Sequence, residues 1–322
     1  MMFLRKKNKK NNNNKNSPAA AVSSDESSFG ASDETISRDR DKWGIQKIYP
    51  DAQGDSFQVW YMDQDADPTK DKRFGNWKNA NLRKMQDGSG ACWYVDGKDQ
   101  RGQVRLEGLS ESGTKKWLDA EATIYVFYID DSKEFAVTPY VYTLYLRGGK
   151  HTAKDPCLGA CYKAMVRKDR RVSIVKEVEH PQYTSNRVGK QIANEVKGSW
   201  IGFKLIVYNF QEDPDLNTYV KIEVWIDENC TDEQQNLVIR NKWYKAAETI
   251  DRGGWAAKEM IQASDCPALD LNSKTLSKRQ PDEIISMPGG TNEYNVGCFR
   301  TDGVMVKFKN FSIRAIQSPR VN

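Results

Sequence analysis

The stretch TYVKIEVWID, residues 218–227, decides the fold. Val220, Ile222, Val224 and Ile226 fall on one side of an extended chain, and Tyr219, Lys221, Glu223, Trp225 and Asp227 on the other. That period of two belongs to a strand with one buried face. WIGFKLIVYN (200–209) splits the same way, with Ile201, Phe203, Leu205 and Val207 opposite Lys204, Ile206 and Tyr208. So does QVRLEGL (103–109), with Val104 and Leu106 opposite Gln103, Arg105 and Glu107. VMVKFKNFSIRAI (304–316) changes phase: Val304, Val306 and Phe308 share a face that Phe311 and Ile313 continue only if a bulge sits near Asn310.

Working outward, short alternating or aromatic-rich runs separated by Gly, Asp, Asn and Pro predict further strands near 56–62, 121–130, 140–147, 160–166, 172–178 and 294–301. Helical periodicity is confined to short turns near 189–196 and 244–249. No repeat of 20–50 residues is visible, which counts against a propeller or solenoid. Strands that each bury one face assemble as two antiparallel sheets packed face to face. The expected fold is an all-β jelly-roll β-sandwich over residues 42–318, with the outer face of one sheet concave. A disordered basic and Ser-rich tail over residues 1–41 precedes it.

Of 49 Lys and Arg, six (Arg5, Lys6, Lys7, Lys9, Lys10, Lys15) lie in residues 1–16 without an acid. The other 43 meet 44 Asp and Glu across residues 17–322, so the basic excess is carried by the first sixteen residues of the tail. Its Asn, Lys and Ser supply too little apolar surface to offset the entropy of ordering. It reads as a solvated leader or as a tether to an anionic polymer or surface. Met2, Phe3 and Leu4 come before the charges rather than after them, so no signal-peptide pattern is present. No transmembrane segment is expected, since no run is apolar over the length of a bilayer span.

The segments GSWIGFKLIVYNF, YVKIEVWID and VGCFRTDGVMVKFKNFSIRAI resemble the closing strands of the concanavalin A-like lectin/glucanase superfamily, nearest to its alginate-lyase-like jelly rolls. The resemblance runs from Gln103 to Ile316. It implies a sugar-recognising sandwich in an extracellular or surface setting. In the lyase branch it implies strands of the kinds Arg-x-Glu-x-Arg, Gln-x-His and Tyr-x-Lys-x-Gly-x-Tyr-x-Gln. Arg105-Leu106-Glu107 resembles the first half of the first motif, with Leu109 where the second Arg would stand. His151 follows TLYLRGGK with no Gln two residues before it, and Phe299 stands where the last motif has its catalytic Tyr. The Glu-x-Asp-x-x-Glu run of retaining glucanases is missing; Glu223 to Asp227 comes closest, with different spacing.

Sugars are held by aromatic faces and planar hydrogen-bonding groups. Arg105, Glu107, Tyr145, Arg147, Lys204, Tyr208, Glu223 and Trp225 offer both on polar strand faces. Arg105, Arg147 and Lys204 together would favour an acidic glycan, because guanidinium groups clamp carboxylates. The same side chains equally suit a solvated face on which they pair with one another. The first expectation is therefore polysaccharide binding. The alternative is β-elimination on a uronate polymer, with His151 or Tyr145 as base and Arg105 and Arg147 neutralising the carboxylate. A third reading is a structural or surface module.

Six cysteines allow 15 pairings. Cys157 and Cys161 suit a disulfide, free thiols or, with His151, three quarters of a zinc site. Asp63, Asp65 and Asp67 resemble the start of a calcium loop. Pro68 and Phe74, at its sixth and twelfth positions, exclude an EF-hand and leave an irregular structural calcium site.

Overall fold

The protein is described from a computed structural model over residues 39–54, 57–67, 74–75, 81–96, 101–106, 117, 119–131, 139–148, 161–179, 182–183, 187–210, 219–251 and 296–319. The strands, in chain order, are β1 (Val59–Tyr61), β2 (Phe74–Gly75), β3 (Asn81–Asp87), β4 (Gly90–Asp96), β5 (Arg101–Leu106), β6 (Ala120–Asp131), β7 (Tyr140–Gly148) and β8 (Cys161–Arg167). They continue with β9 (Arg171–Glu179), β10 (Gln182–Tyr183), β11 (Arg187–Gln191), β12 (Trp200–Phe210), β13 (Tyr219–Asp227), β14 (Tyr244–Asp251), β15 (Val296–Asp302) and β16 (Val304–Ala315). Every pairing is antiparallel, and the strands make two sheets of a jelly-roll sandwich.

Sheet I runs β14-β13-β12-β6-β16-β4-β3, with β1 also on β16; sheet II runs β10-β9-β8-β7-β15-β5-β2, with β11 also on β9. The last two strands, β15 and β16, each insert at the middle of a different sheet. Their aromatic residues therefore meet across the interior: the Phe299 ring lies 4.9 Å from Phe308 and 6.4 Å from Phe311. Tyr142 of β7 meets Phe203 of β12 at 5.5 Å in the same layer. Val220, Ile222, Val224 and Ile226, the apolar half of the opening motif, are all buried there.

The phase change in β16 is the expected bulge. Asn310 has φ 54° and the register to β6 shifts between Lys309 and Ser312, which returns both Phe308 and Phe311 to the core. Two expectations are corrected. The helical turns expected near 244–249 and 189–196 are strand instead: the first segment belongs to β14 and the second begins in β11. Lys245, Ala246 and Ala247 favour helix locally; pairing with the whole length of β13 overrides that. Gly189 lies flat on β14: a Cβ there would fall 2.5 Å from the Ala246 carbonyl oxygen. The hairpin β3–β4, closed around Gly88 and Ser89, was also missed.

The outer face of sheet I is covered. Residues 39–52 form a strap whose Ile45, Ile48 and Tyr49 pack on it, beside Cys230, Leu237, Ile239 and Trp243 from the segment after β13. The strap starts at the margin of the predicted tail, where Lys47 donates its backbone N–H to the Asp39 carbonyl and Asp41 accepts from the N–H groups of Trp43 and Ile45. On the same face one register row crosses five strands as Arg83–Tyr94–Lys307–Phe127–Trp200. Cation and ring alternate over its first four members, and it ends on the Phe127–Trp200 ring pair at 5.5 Å. Arg83 stands 4.7 Å from the Tyr94 ring, and Lys307 stands 4.5 Å from Phe127.

Candidate functional site

Alternation turns Leu144 and Leu146 of β7, Tyr162, Ala164 and Val166 of β8, Val172 and Ile174 of β9 and Phe299 of β15 into the core. Their neighbours stand on the outer face of sheet II, and the register arranges them in rows. One row is Arg105–Cys298–Tyr145–Lys163–Val175. The next, two residues along each strand, is Gln103–Arg300–Thr143–Met165–Ser173. Beyond it Arg167 pairs with Tyr140 at the rim. On the other side Cys161 sits opposite Glu177.

These residues touch one another. Arg300 donates to the Tyr145 hydroxyl at 3.1 Å, and the Lys163 ammonium lies 4.5 Å from the Tyr145 ring. Lys163 forms an ion pair with Glu177, to which the Cys161 thiol also donates at 3.5 Å. Exposure is graded: Glu177 retains 0% and Cys161 1%, Tyr145 4%, and Arg300, Thr143 and Met165 7% each. Arg167 and Tyr140 are half-buried. The face therefore opens toward its arginine rim. Burial pushes the Cys161 thiol well above its usual range; Lys163 opposes this and Glu177 reinforces it. Such a thiol is a poor nucleophile.

Arg147, expected in the groove, points elsewhere. It has φ 52°, and the β7–β15 register is irregular beside it. Its guanidinium turns between the sheets and donates to Asp119 at 3.0 Å and Asn209 at 2.8 Å. Near it Tyr162 and Lys176 donate to Asp251 at 2.7 and 2.6 Å, a second tie from sheet II to sheet I.

Lys204, Tyr208, Glu223 and Trp225 lie on the outer face of sheet I, so the eight expected groove residues do not converge. Lys204 is wholly buried and donates to Glu121 at 2.6 Å and Thr123 at 2.9 Å. Its ammonium lies 4.5 Å from the ring of Trp243, for which Gly202 leaves room: a Cβ there would meet that ring at 2.8 Å. Arg314 completes the cluster, donating to Glu121 at 2.6 Å and Asp51 at 2.9 Å. Burial acts to raise the Glu121 carboxyl, but Arg314 and Lys204 together hold it down to about 2. Glu223, also buried, accepts from Tyr49 at 3.0 Å, Tyr208 at 3.1 Å, the Trp225 indole at 2.9 Å and Lys245 at 3.0 Å. This half of the set clamps the strap in place.

His151, Glu107 and Cys157 lie outside the described residues, as does the side chain of Arg105, which is placed by backbone register alone. Cys92, Cys161, Cys230 and Cys298 are thiols rather than halves of a disulfide. Asp63 and Asp65 do not make a calcium cage: Asp63 accepts the Asp65 N–H at 3.1 Å, and Asp65 lies 3.6 Å from the Lys84 ammonium. Among the described residues no group of three His, Cys, Asp or Glu converges as a metal site. Sequence reasoning missed Thr143, Lys163, Glu177 and Arg300. The alternation of Cys161, Lys163, Met165 and Arg167 against Tyr162, Ala164 and Val166 is the signal that would have found Lys163.

No protein-family profile and no curated protein matches the chain. Among solved structures it is similar to winged bean acidic lectin complexed with methyl-α-D-galactose, at 8% identity over 81% of this chain and 100% of that one, with TM-score 0.38. It is also similar to peanut lectin with a nine-residue peptide, at 10% identity over 82% of this chain and 99% of that one, with TM-score 0.35. Against the receptor-binding domain of botulinum neurotoxin type G the identity is 7% over 75% of this chain, TM-score 0.34, and the chain spans 44% of that domain. These likenesses assign no role to any residue here; the two-sheet arrangement rests on strand order and register.

Proposed function

We propose that the protein binds a carbohydrate polymer bearing carboxylates, on the outer face of sheet II. The supporting observation is the contact of Arg300 with the Tyr145 hydroxyl at 3.1 Å, beside Lys163. The Arg300 guanidinium offers a carboxylate its counter-charge, and the Tyr145 phenol beside it gives a ring and a hydroxyl. Arg105 falls on the Tyr145 row. Calorimetric titration with polygalacturonate, alginate, hyaluronan and neutral dextran tests this. The acidic polymers bind, more weakly as salt rises, and Arg300→Ala reduces their affinity about tenfold or more. Dextran bound as tightly as the acidic polymers, or an Arg300→Ala protein with unchanged affinity, would refute it.

The same contact favours a second reading, β-elimination. Tyr145, acting as the phenolate beside the Arg300 guanidinium, would take the uronate C5 proton on Oη; the C–H electron pair would form the C4–C5 double bond, the C4–O bond would break with its oxygen taking a proton from water, and the hydroxide left would take the proton back from the phenol. Arg300 takes the neutralising role expected of Arg147. Ultraviolet absorbance of the unsaturated product, lost in Tyr145→Phe, separates turnover from binding.

A further inference from the structure

We infer that the open rim of sheet II, the row Gln191–Arg171–Arg167–Tyr140, is where a carboxylate of the acidic polymer docks, with Arg171 as its counter-charge; this rests on the carbohydrate reading above. The run Arg167-Lys168-Asp169-Arg170-Arg171 gathers four cations around one carboxylate at the turn between β8 and β9. Three of the four have a carboxylate of their own. Arg167 donates to Asp169 at 3.1 Å from Nε and 3.2 Å from Nη2, Lys168 lies 2.8 Å from Asp131, and Arg170 lies 3.2 Å from Glu195. Arg171 has none. Its backbone N–H donates to Asp169 at 3.2 Å, but the residue is exposed and its guanidinium makes no hydrogen bond or ion pair among the described residues. The Arg167 bonds, and then the Arg171 N–H and charge, hold the Asp169 carboxyl below its usual range, so the one acid of the turn is ionised and already taken.

Arg167 and Arg171 flank the turn, which the Arg170 N–H closes by donating to the Arg167 carbonyl at 3.0 Å. Val166 and Val172, beside them, pair and point into the core, so both guanidinium groups stand on the outer face as neighbours. Like charges on neighbouring strands repel, and an anion between them removes that cost. Gln191 of β11 pairs with Arg171, and Tyr140 of β7 pairs with Arg167, whose guanidinium lies 5.7 Å from the ring. The row therefore offers a carboxamide, a free guanidinium, a second guanidinium oriented by Asp169, and a ring. It crosses three strand spacings, about 14 Å. A free guanidinium clamps a carboxylate through two parallel bonds, and the amide and ring suit the sugars on either side. Arg171 and Gln191 are exposed and Arg167 and Tyr140 half-buried, so a polymer reaches the row from solvent. One free cation among neutralised ones suits a polymer of spaced carboxylates; a phosphate backbone draws its affinity from many cations at once.

Titration of the full chain with polygalacturonate, alginate and hyaluronan tests the assignment, alongside the melting temperature of each variant. Arg171→Ala weakens binding of the acidic polymers about tenfold. Arg83→Ala, which takes the same charge from the outer face of sheet I, binds as wild type does. Because Arg171 is exposed and stands beside a like charge, Arg171→Ala leaves the melting temperature equal or higher. If Arg171→Ala keeps wild-type affinity while Arg300→Ala loses it, the rim site is overturned and the carbohydrate reading stands. An equal loss in Arg83→Ala traces the effect to diffuse charge and overturns the site too. Single-stranded DNA bound as tightly as the acidic polymers, and released by Arg171→Ala, assigns the rim to a nucleic acid and overturns the occupant. If none of the three polymers binds the wild type, the carbohydrate reading itself falls.

Discussion

Tyr142 carries its hydroxyl into the sandwich interior without a hydrogen-bond partner, while its ring packs against Phe203 and Phe299. Burial pushes the phenol well above its usual range. Tyr142→Phe keeps the packing and removes the unpaired group, so stability in urea stays level or rises by up to about 1 kcal/mol. A loss of that size would reveal a partner. Single residues were legible in the sequence as faces but not as environments. Lys204 and Glu223 were correctly placed opposite the apolar half of their strands. Their burial was not legible, because Asp51, Tyr49 and Trp243 come from remote parts of the chain. Arg147 was misplaced for a local reason: one left-handed residue ahead of a glycine pair breaks the alternation on which its placement depended.

The strap is the element whose pH dependence can be worked out. The folded-state carboxyl of Glu121 lies near 2, below its ordinary 4.5. A depressed carboxyl contributes stability above the unfolded value and loses it as pH falls through the folded one. Stability should therefore decline between roughly pH 4.5 and 2, and the difference between wild type and Glu121→Gln, measured by urea unfolding, should shrink across that window. A constant difference would rule out Glu121 as the group responsible. Ten strands, and the bulge in β16, were readable because their sequences are alternating or aromatic-rich runs bounded by Gly, Asp, Asn and Pro. β14 and β11 were not. Their residues have no strong period of their own, and what fixes them is pairing with β13 and β9, which local sequence does not encode.

For the whole molecule, a net charge of +5 leaves out of account several cations that the sandwich keeps inside. Lys163, Lys176, Lys204, Arg147 and Arg314 are all buried, each against a carboxylate. A chain beginning at residue 53 would strip Asp51 from Arg314 and Tyr49 from Glu223 and should lose about 3–5 kcal/mol, seen as a lowered urea midpoint. An unchanged midpoint would show that the sheets need no cover. The row Arg83–Tyr94–Lys307–Phe127–Trp200 carries a consequence of its own. Each member comes from a different strand at one height, so a slip of two residues in any strand, which keeps its apolar side chains facing the core, still carries its ring or cation out of the row and breaks the contacts there. The row works as a vernier. Five scales read true at a single setting, and sheet I is thereby protected from near-miss alignments that hydrophobic burial alone would tolerate.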